Sequence, residues 1–209
     1  MPPSRITEDQ ATDDRPPPDI TDDMRASAKE NPNSWLYVMD PAFEAGDNVP
    51  PWGVVGAYPV DANGEIEPNF QPNEQYLPSP QALNLPLPTN ELERLMQLVH
   101  TKHEPTSVLP PAILTARLHV YSDPEEPAGA KSGDGPQLSG FRAKDGRVLV
   151  PACTAEDEVP VKWPGSRELS GKELIPLLGE HPLVLNPEGV VTAIVPVEHL
   201  IAADRGGSA

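Results

Sequence analysis

Proline constrains this chain more than any other residue. There are 29 in 209 residues, nearly three times the usual share of about 5%. They are dispersed from Pro2 to Pro196, so no single polyproline rod is implied. Each one fixes φ and removes a backbone donor, which interrupts helices and central strands alike. A chain of this kind folds into short elements joined by long, stiffened connections.

Between the breaks, several segments carry a readable pattern. Residues 1–20 are rich in Pro and Asp and are expected to form a disordered tail. A short helix is expected at 21–30, capped by Thr21 or Asp22 and stopped by Asn31-Pro32. Ser34 to Met39 reads as a strand. Residues 52–67 read as a hairpin, with a turn at Asp61-Ala62-Asn63-Gly64. Six prolines in 68–88 exclude a regular element there, yet Phe70, Tyr76, Leu83, Leu85 and Leu87 point to a segment packed over a core. A helix follows at 90–101, with Asn90 and Glu93 at capping-box spacing and Leu92, Leu95, Met96 and Val99 as its buried stripe.

Further on, Pro110-Pro111 precede a turn at 111–115, and a strand is expected at about 116–121. Asp123 to Ser139 has the composition of a flexible loop. Phe141 to Thr154 reads as a hairpin about Asp145-Gly146. Val161 to Gly165 reads as poorly structured. Ser170 and Glu173 cap another helix, with Pro176 placed near its first turn. Leu183 to Leu185, a turn at Asn186-Pro187-Glu188-Gly189, Val190 to Val195 and a closing helix at 196–203 complete the chain. The class is α+β: a mixed or antiparallel sheet with hairpins and a few short helices. The expected division is a tail at 1–20, an N-terminal region at 21–122, a flexible loop at 123–139 and a C-terminal region at 140–204, which either stands alone or forms one unit with 21–122.

The formal net charge of −17 leaves no basic footprint for nucleic acid and disfavours an anionic membrane surface. No stretch approaches the roughly 18 apolar residues of a membrane span, and the N-terminus does not read as a signal peptide. A single cysteine excludes an intrachain disulfide and fits a reducing, cytoplasmic setting.

The residues that carry chemistry elsewhere are present but do not assemble into a motif. His100 and His103 have i, i+3 spacing, without a second ligand pair at motif spacing; both suit the negative end of a helix. Cys153 follows an apolar strand, and its neighbours Glu156, Asp157 and Glu158 oppose a thiolate. Gly133-Asp134-Gly135 lacks the helix and Lys-Ser/Thr that a phosphate loop requires. Gly53 and Gly56 mark close packing or a bulge inside a strand. No catalytic, cofactor-binding or metal-ligating residue is assigned. The candidate partner-binding residues are Trp163, in the irregular stretch Val161-Lys162-Trp163-Pro164-Gly165, with Trp52 and Tyr76.

Two stretches resemble a known family. Trp35-Leu36-Tyr37-Val38-Met39-Asp40-Pro41, Trp52-Gly53-Val54-Val55-Gly56, Tyr76-Leu77-Pro78-Ser79-Pro80 and Pro88-Thr89-Asn90 through Leu98-Val99-His100-Thr101 resemble the actinobacterial type VII secretion system-associated proteins. Val148-Leu149-Val150-Pro151, Gly171-Lys172-Glu173-Leu174 and Leu183-Val184-Leu185-Asn186-Pro187-Glu188-Gly189 are similar to the SseB-like domain of those proteins. The resemblance implies a non-enzymatic, cytoplasmic accessory or adaptor protein of type VII secretion, whose partner is a secretion component or a secreted substrate. An alternative is an immunity protein, whose acidity would suit a basic toxin.

Overall fold

In the computed structural model the described residues are 16–44, 46–122 and 138–206. The expected tail and the expected flexible loop therefore lie mostly outside them. Residues 16–20 and 138–139 carry no regular secondary structure. The α+β class holds: short helices alternate with mixed and antiparallel strands. The chain divides into two compact units, Met1–Ala82 and Leu83–Ala209.

In the first unit, helix α1 (Asp22–Glu30) starts where Thr21 accepts from the Met24 N–H at 3.3 Å. Asp22 and Asp23 sit at the positive end of its dipole and Lys29 at the other. A three-stranded antiparallel sheet follows in the order β1 (Trp35–Met39), β2 (Val54–Pro59), β3 (Gln71–Pro72). The Val60 N–H bonds to the Ser34 carbonyl at 2.9 Å. By antiparallel alternation, Leu36 and Val38 then bond toward β2, while Trp35 and Tyr37 direct their backbone groups outward. Pro59 lies opposite Trp35, at a position that needs no N–H toward β1. Pro72 faces Gly56 and pairs next to the Ala57–Gln71 pair, on an edge strand where a missing donor costs nothing.

This sheet corrects two expectations. The Asp61–Gly64 turn forms, with the Asp61 carboxylate accepting from the Asn63 and Glu65 N–H groups at 2.8 Å each. Its second arm, however, contributes only one bridge, Val60 to Ile66. The main partner of β2 is β1, reached across the intervening loop, because five consecutive apolar residues offer a longer ladder than Glu65-Ile66-Glu67. The proline-rich stretch also holds a regular element, β3, at Gln71–Pro72. Its Phe70 ring packs on Tyr58, with centroids 4.8 Å apart, and covers Gly56, where a methyl group would collide with that ring. Gly53 is closed off in the same way by Phe43 and Val49.

In the second unit, α2 (Glu91–His100), α3 (Leu109–Thr115), α4 (Gly171–Leu178) and α5 (Val197–Gly206) pack with a six-stranded sheet. The strands are β4 (Arg117–Tyr121), β5 (Phe141–Arg142), β6 (Val148–Cys153), β7 (Ser166–Ser170), β8 (Leu183–Leu185) and β9 (Ala193–Val195). Their order is β7-β4-β6-β8-β9, with β5 also paired to β6. Only β6 and β8 run parallel. The core joins Leu92 and Met96 of α2 to Ile113, Leu118, Leu174, Leu183, Leu185 and Leu200, and Ile113 is fully enclosed.

Residues 21–122 are thus not one region. α2, α3 and β4 belong with the C-terminal strands, and His119 of β4 pairs with Cys153 of β6.

Three local expectations also change. Leu109–Thr115 is a helix, because Pro110 and Pro111 fall in its first turn, where N–H groups have no intrahelical partner. Pro176 is inside α4 and beyond its first turn, since the helix begins at Gly171; the expected capping box of Ser170 and Glu173 is present. Ser166–Ser170 forms an edge strand that its polar composition concealed. It is held to β4 by five paired positions and by the Arg117–Glu168 bond of 2.6 Å. A single 3-10 turn stands at Glu156–Glu158.

Candidate functional site

Tyr121 ends β4, and Phe141 sits in β5; both strands pair with β6. The chain that follows β6 brings Pro160, Lys162 and Trp163 to the same place. With Pro151 of β6 and Pro187 of the turn after β8, these residues line a cleft of about 430 Å³, within the usual range of roughly 300–1,000 Å³ for binding cavities. Its walls are mostly ring faces. Trp163 meets Tyr121 edge to face, with centroids 5.7 Å apart. The Trp163 N–H bonds to the Pro160 carbonyl at 2.9 Å, which fixes the turn that presents the indole. Phe141 is 42% exposed. At the rim, Lys162 pairs with Glu188, both largely exposed. This pairing of rigid apolar rings with one charged rim pair is suited to holding an apolar or proline-containing segment.

Trp163 is thus placed where an anchor is useful. Trp52 and Tyr76 belong to the other unit, where Tyr76 joins a polar hub. Asp40 there is fully buried. Its carboxylate accepts from the Tyr76 hydroxyl at 3.0 Å, the Ser79 N–H at 2.9 Å and the Ala42 N–H at 2.9 Å. Burial pushes its pKa up, but these donors outweigh it and hold the carboxyl below its ordinary range. Trp52 packs on Phe43, with centroids 5.2 Å apart. The Leu77 N–H bonds to the Trp52 carbonyl at 3.0 Å.

Sequence reasoning did not single out Tyr121 or Phe141. Both are lone aromatics at strand ends, and only the order of strands brings them beside Trp163. It also passed over Trp35 and Tyr37, which are 50% and 59% exposed. An unbroken apolar run reads as a buried strand, whereas β1 lies at a sheet edge.

A second polar centre lies deeper in the same unit as the cleft. Glu93 of α2 is 9% exposed. It accepts from the Thr154 hydroxyl at 2.7 Å, the Thr89 N–H at 2.7 Å, the Thr89 hydroxyl at 2.9 Å and Asn90 Nδ2 at 3.0 Å. Burial raises its pKa, and the donors, Thr154 foremost, more than reverse this. Asn186, with φ +46°, donates from Nδ2 to the Thr154 hydroxyl at 2.8 Å and accepts from the Thr154 N–H at 2.9 Å. The expected box at Asn90 is therefore altered. Asn90 caps Glu93, while the Glu93 carboxylate reaches past the cap to Thr89 and across to the sheet. Glu158 nearby is shifted upward, first by burial and then by the charge of Glu93.

Cys153 is a free, fully buried thiol at the end of β6. Burial, followed by the charges of Glu158 and Glu188, pushes its pKa up to about 12. His103 lies beyond the end of α2, after Lys102 with φ +64°, and its Nδ1 is 2.9 Å from the Thr101 hydroxyl. His100 instead lines a separate cavity with His199. Among the described residues, no three His, Cys, Asp or Glu are grouped to share a metal ion, and no helix is long and apolar enough to cross a membrane. Gly133-Asp134-Gly135 lies outside the described residues. Compared with protein-family models, curated proteins and solved structures, the chain gives no match.

Proposed function

We propose that this chain is a non-enzymatic protein-binding module with an accessory role in type VII secretion. The observation that carries the binding role is the cleft built by Trp163, Tyr121 and Phe141. Its open aromatic walls suit a segment of a partner protein. The link to secretion comes from the resemblance of residues 35–103 and 146–200. A single free thiol suits a reducing compartment, in keeping with a cytoplasmic site of action.

Affinity capture of the full chain from an actinobacterial host, beside its Trp163→Ala variant, tests this reading. A component of the secretion apparatus or one of its secreted substrates is expected with the parent chain and not with the variant. Recovery of neither, or equal recovery by both, overturns it. The net charge of −17 favours a second reading, immunity against a basic secreted toxin. Co-expression with neighbouring toxin genes tests that one, and failure to neutralise any of them removes it.

A further inference from the structure

Among the described residues, β1 is an open edge of the first unit's sheet, and nothing in its own sequence protects that edge. It has five residues, no charge and no proline, although sheet edges are usually blunted by such devices. The backbone groups of Trp35 and Tyr37 face outward, as the register requires. Their side chains stand on one face of the sheet with Pro59 and Ala57, directly opposite them in β2. Exposure alternates along the strand, with Trp35 at 50%, Tyr37 at 59% and Met39 at 41%. An outward hydrogen-bonding edge therefore coincides with an exposed aromatic stripe, the two components of recognition by strand addition.

The charge of the unit selects the occupant. Residues 16–82 carry eleven Asp and Glu against Arg25 and Lys29 alone, a formal charge of −9. Asp61 and Glu65 flank the Trp35 end, where the Asn33 N–H bonds to the Asp61 carbonyl at 2.9 Å. Glu44 and Asp47 follow the Met39 end. A second copy would bring a chain of net charge −17 against this edge, and like charges at such range repel. A cationic strand gains both the ladder and the field.

We propose that the open edge of β1 takes an extended segment of another protein, with Lys or Arg alternating with apolar residues, as a fourth strand. The inference stands apart from the cleft of the second unit and survives the failure of that reading.

The test is fluorescence anisotropy of three labelled peptides with the full chain. One alternates Lys and Val, one alternates Glu and Val, and one is the Lys-Val peptide N-methylated at every other residue. The Lys-Val peptide is expected to bind, and to weaken at least about tenfold when salt rises from about 0.05 to about 0.5 M. The Glu-Val peptide and the N-methylated peptide are each expected to bind at least about tenfold more weakly, the second because it keeps the charge and loses the donors. Trp35→Ala with Tyr37→Ala is expected to lower affinity, and Trp163→Ala to leave it unchanged. Equal binding of the N-methylated peptide reduces the interaction to charge adhesion and overturns the proposal. So does absence of binding, and so does a dimer of the chain, seen by sedimentation, that the Trp35→Ala, Tyr37→Ala variant abolishes. Should that variant fail to fold, the comparison of peptides on the parent chain still decides.

Discussion

Replacing Thr154 by Val isolates the polar centre that joins α2 to the sheet. The substitution keeps shape and removes one hydroxyl. That hydroxyl donates to Glu93 at 2.7 Å and accepts from Asn186 Nδ2 at 2.8 Å. A hydrogen bond to a charged group contributes about 1.5–3 kcal/mol, and leaving a buried donor unpaired costs about 1–3 kcal/mol. Glu93 keeps its contacts to Thr89 and Asn90, and Asn186 keeps the Thr154 N–H, so the expected loss is about 2–4 kcal/mol at neutral pH. In urea, with a slope of about 2 kcal/mol/M, the midpoint falls by about 1–2 M. Trp163 fluorescence in a Trp35→Phe, Trp52→Phe background reports the second unit alone, which avoids assuming that both units unfold together.

The pH dependence supplies the refutation. Glu93 has a folded pKa below its unfolded value. Its ionised contacts therefore stabilise fully above the ordinary Glu range and lose effect as pH falls through and below it. The Thr154→Val penalty is expected to shrink in acid, leaving mainly the Asn186 part. A Thr154→Ser control, which retains the hydroxyl, is expected to cost less than Thr154→Val. A loss under about 0.5 kcal/mol at pH 7 falls below the value of even one ordinary bond and would refute the reasoning. An equal penalty at neutral and acid pH, or a Thr154→Ser cost as large as that of Val, would do the same.

Other expectations follow from single residues. With a pKa pushed up to about 12, Cys153 has a thiolate fraction of roughly 10⁻⁵ at pH 7, so a disulfide reagent should label it only at the rate of unfolding; stoichiometric labelling of the native protein within minutes contradicts its burial. Ile113→Ala should cost about 2–5 kcal/mol in the same urea assay, since Ile113 is fully enclosed. Gly171→Ala should destabilise by about 1–3 kcal/mol, because a methyl group there meets the Ile113 carbonyl oxygen and the Leu114 Cα; a gain in melting temperature, as helix propensity alone would give, shows that α3 and α4 can separate.

Much of the local structure was legible because local rules were obeyed. Thr21, Asn90 and Ser170 begin their helices where their side chains reach a nearby N–H. Asp61–Gly64 and Asn186–Gly189 turn where Asx chemistry and glycine permit. Elements whose identity depended on a distant partner were not legible. Ser166–Ser170 is a strand only because β4 lies beside it, and Gln71–Pro72 only because β2 does. Prolines stop a helix by rule, yet Pro110 and Pro111 open one, since their position relative to the first turn was set by the packing of Ile113 and Leu114.

The candidate site divides along the same line. An irregular setting for Trp163 could be read from its neighbours. Its companions Tyr121 and Phe141 come from two different strands that both pair with β6, and sequence distance carries no information about strand order. By itself the sequence determined the α+β class, the caps, the turns and the acidity, because each follows from residues within a few positions or from simple addition of charge. Only the tertiary structure decided that the division falls at Ala82–Leu83, that Glu93 is buried on Thr154, and that β1 stands at an edge. Those outcomes depend on which apolar surfaces find each other, and that choice is made by the whole chain at once.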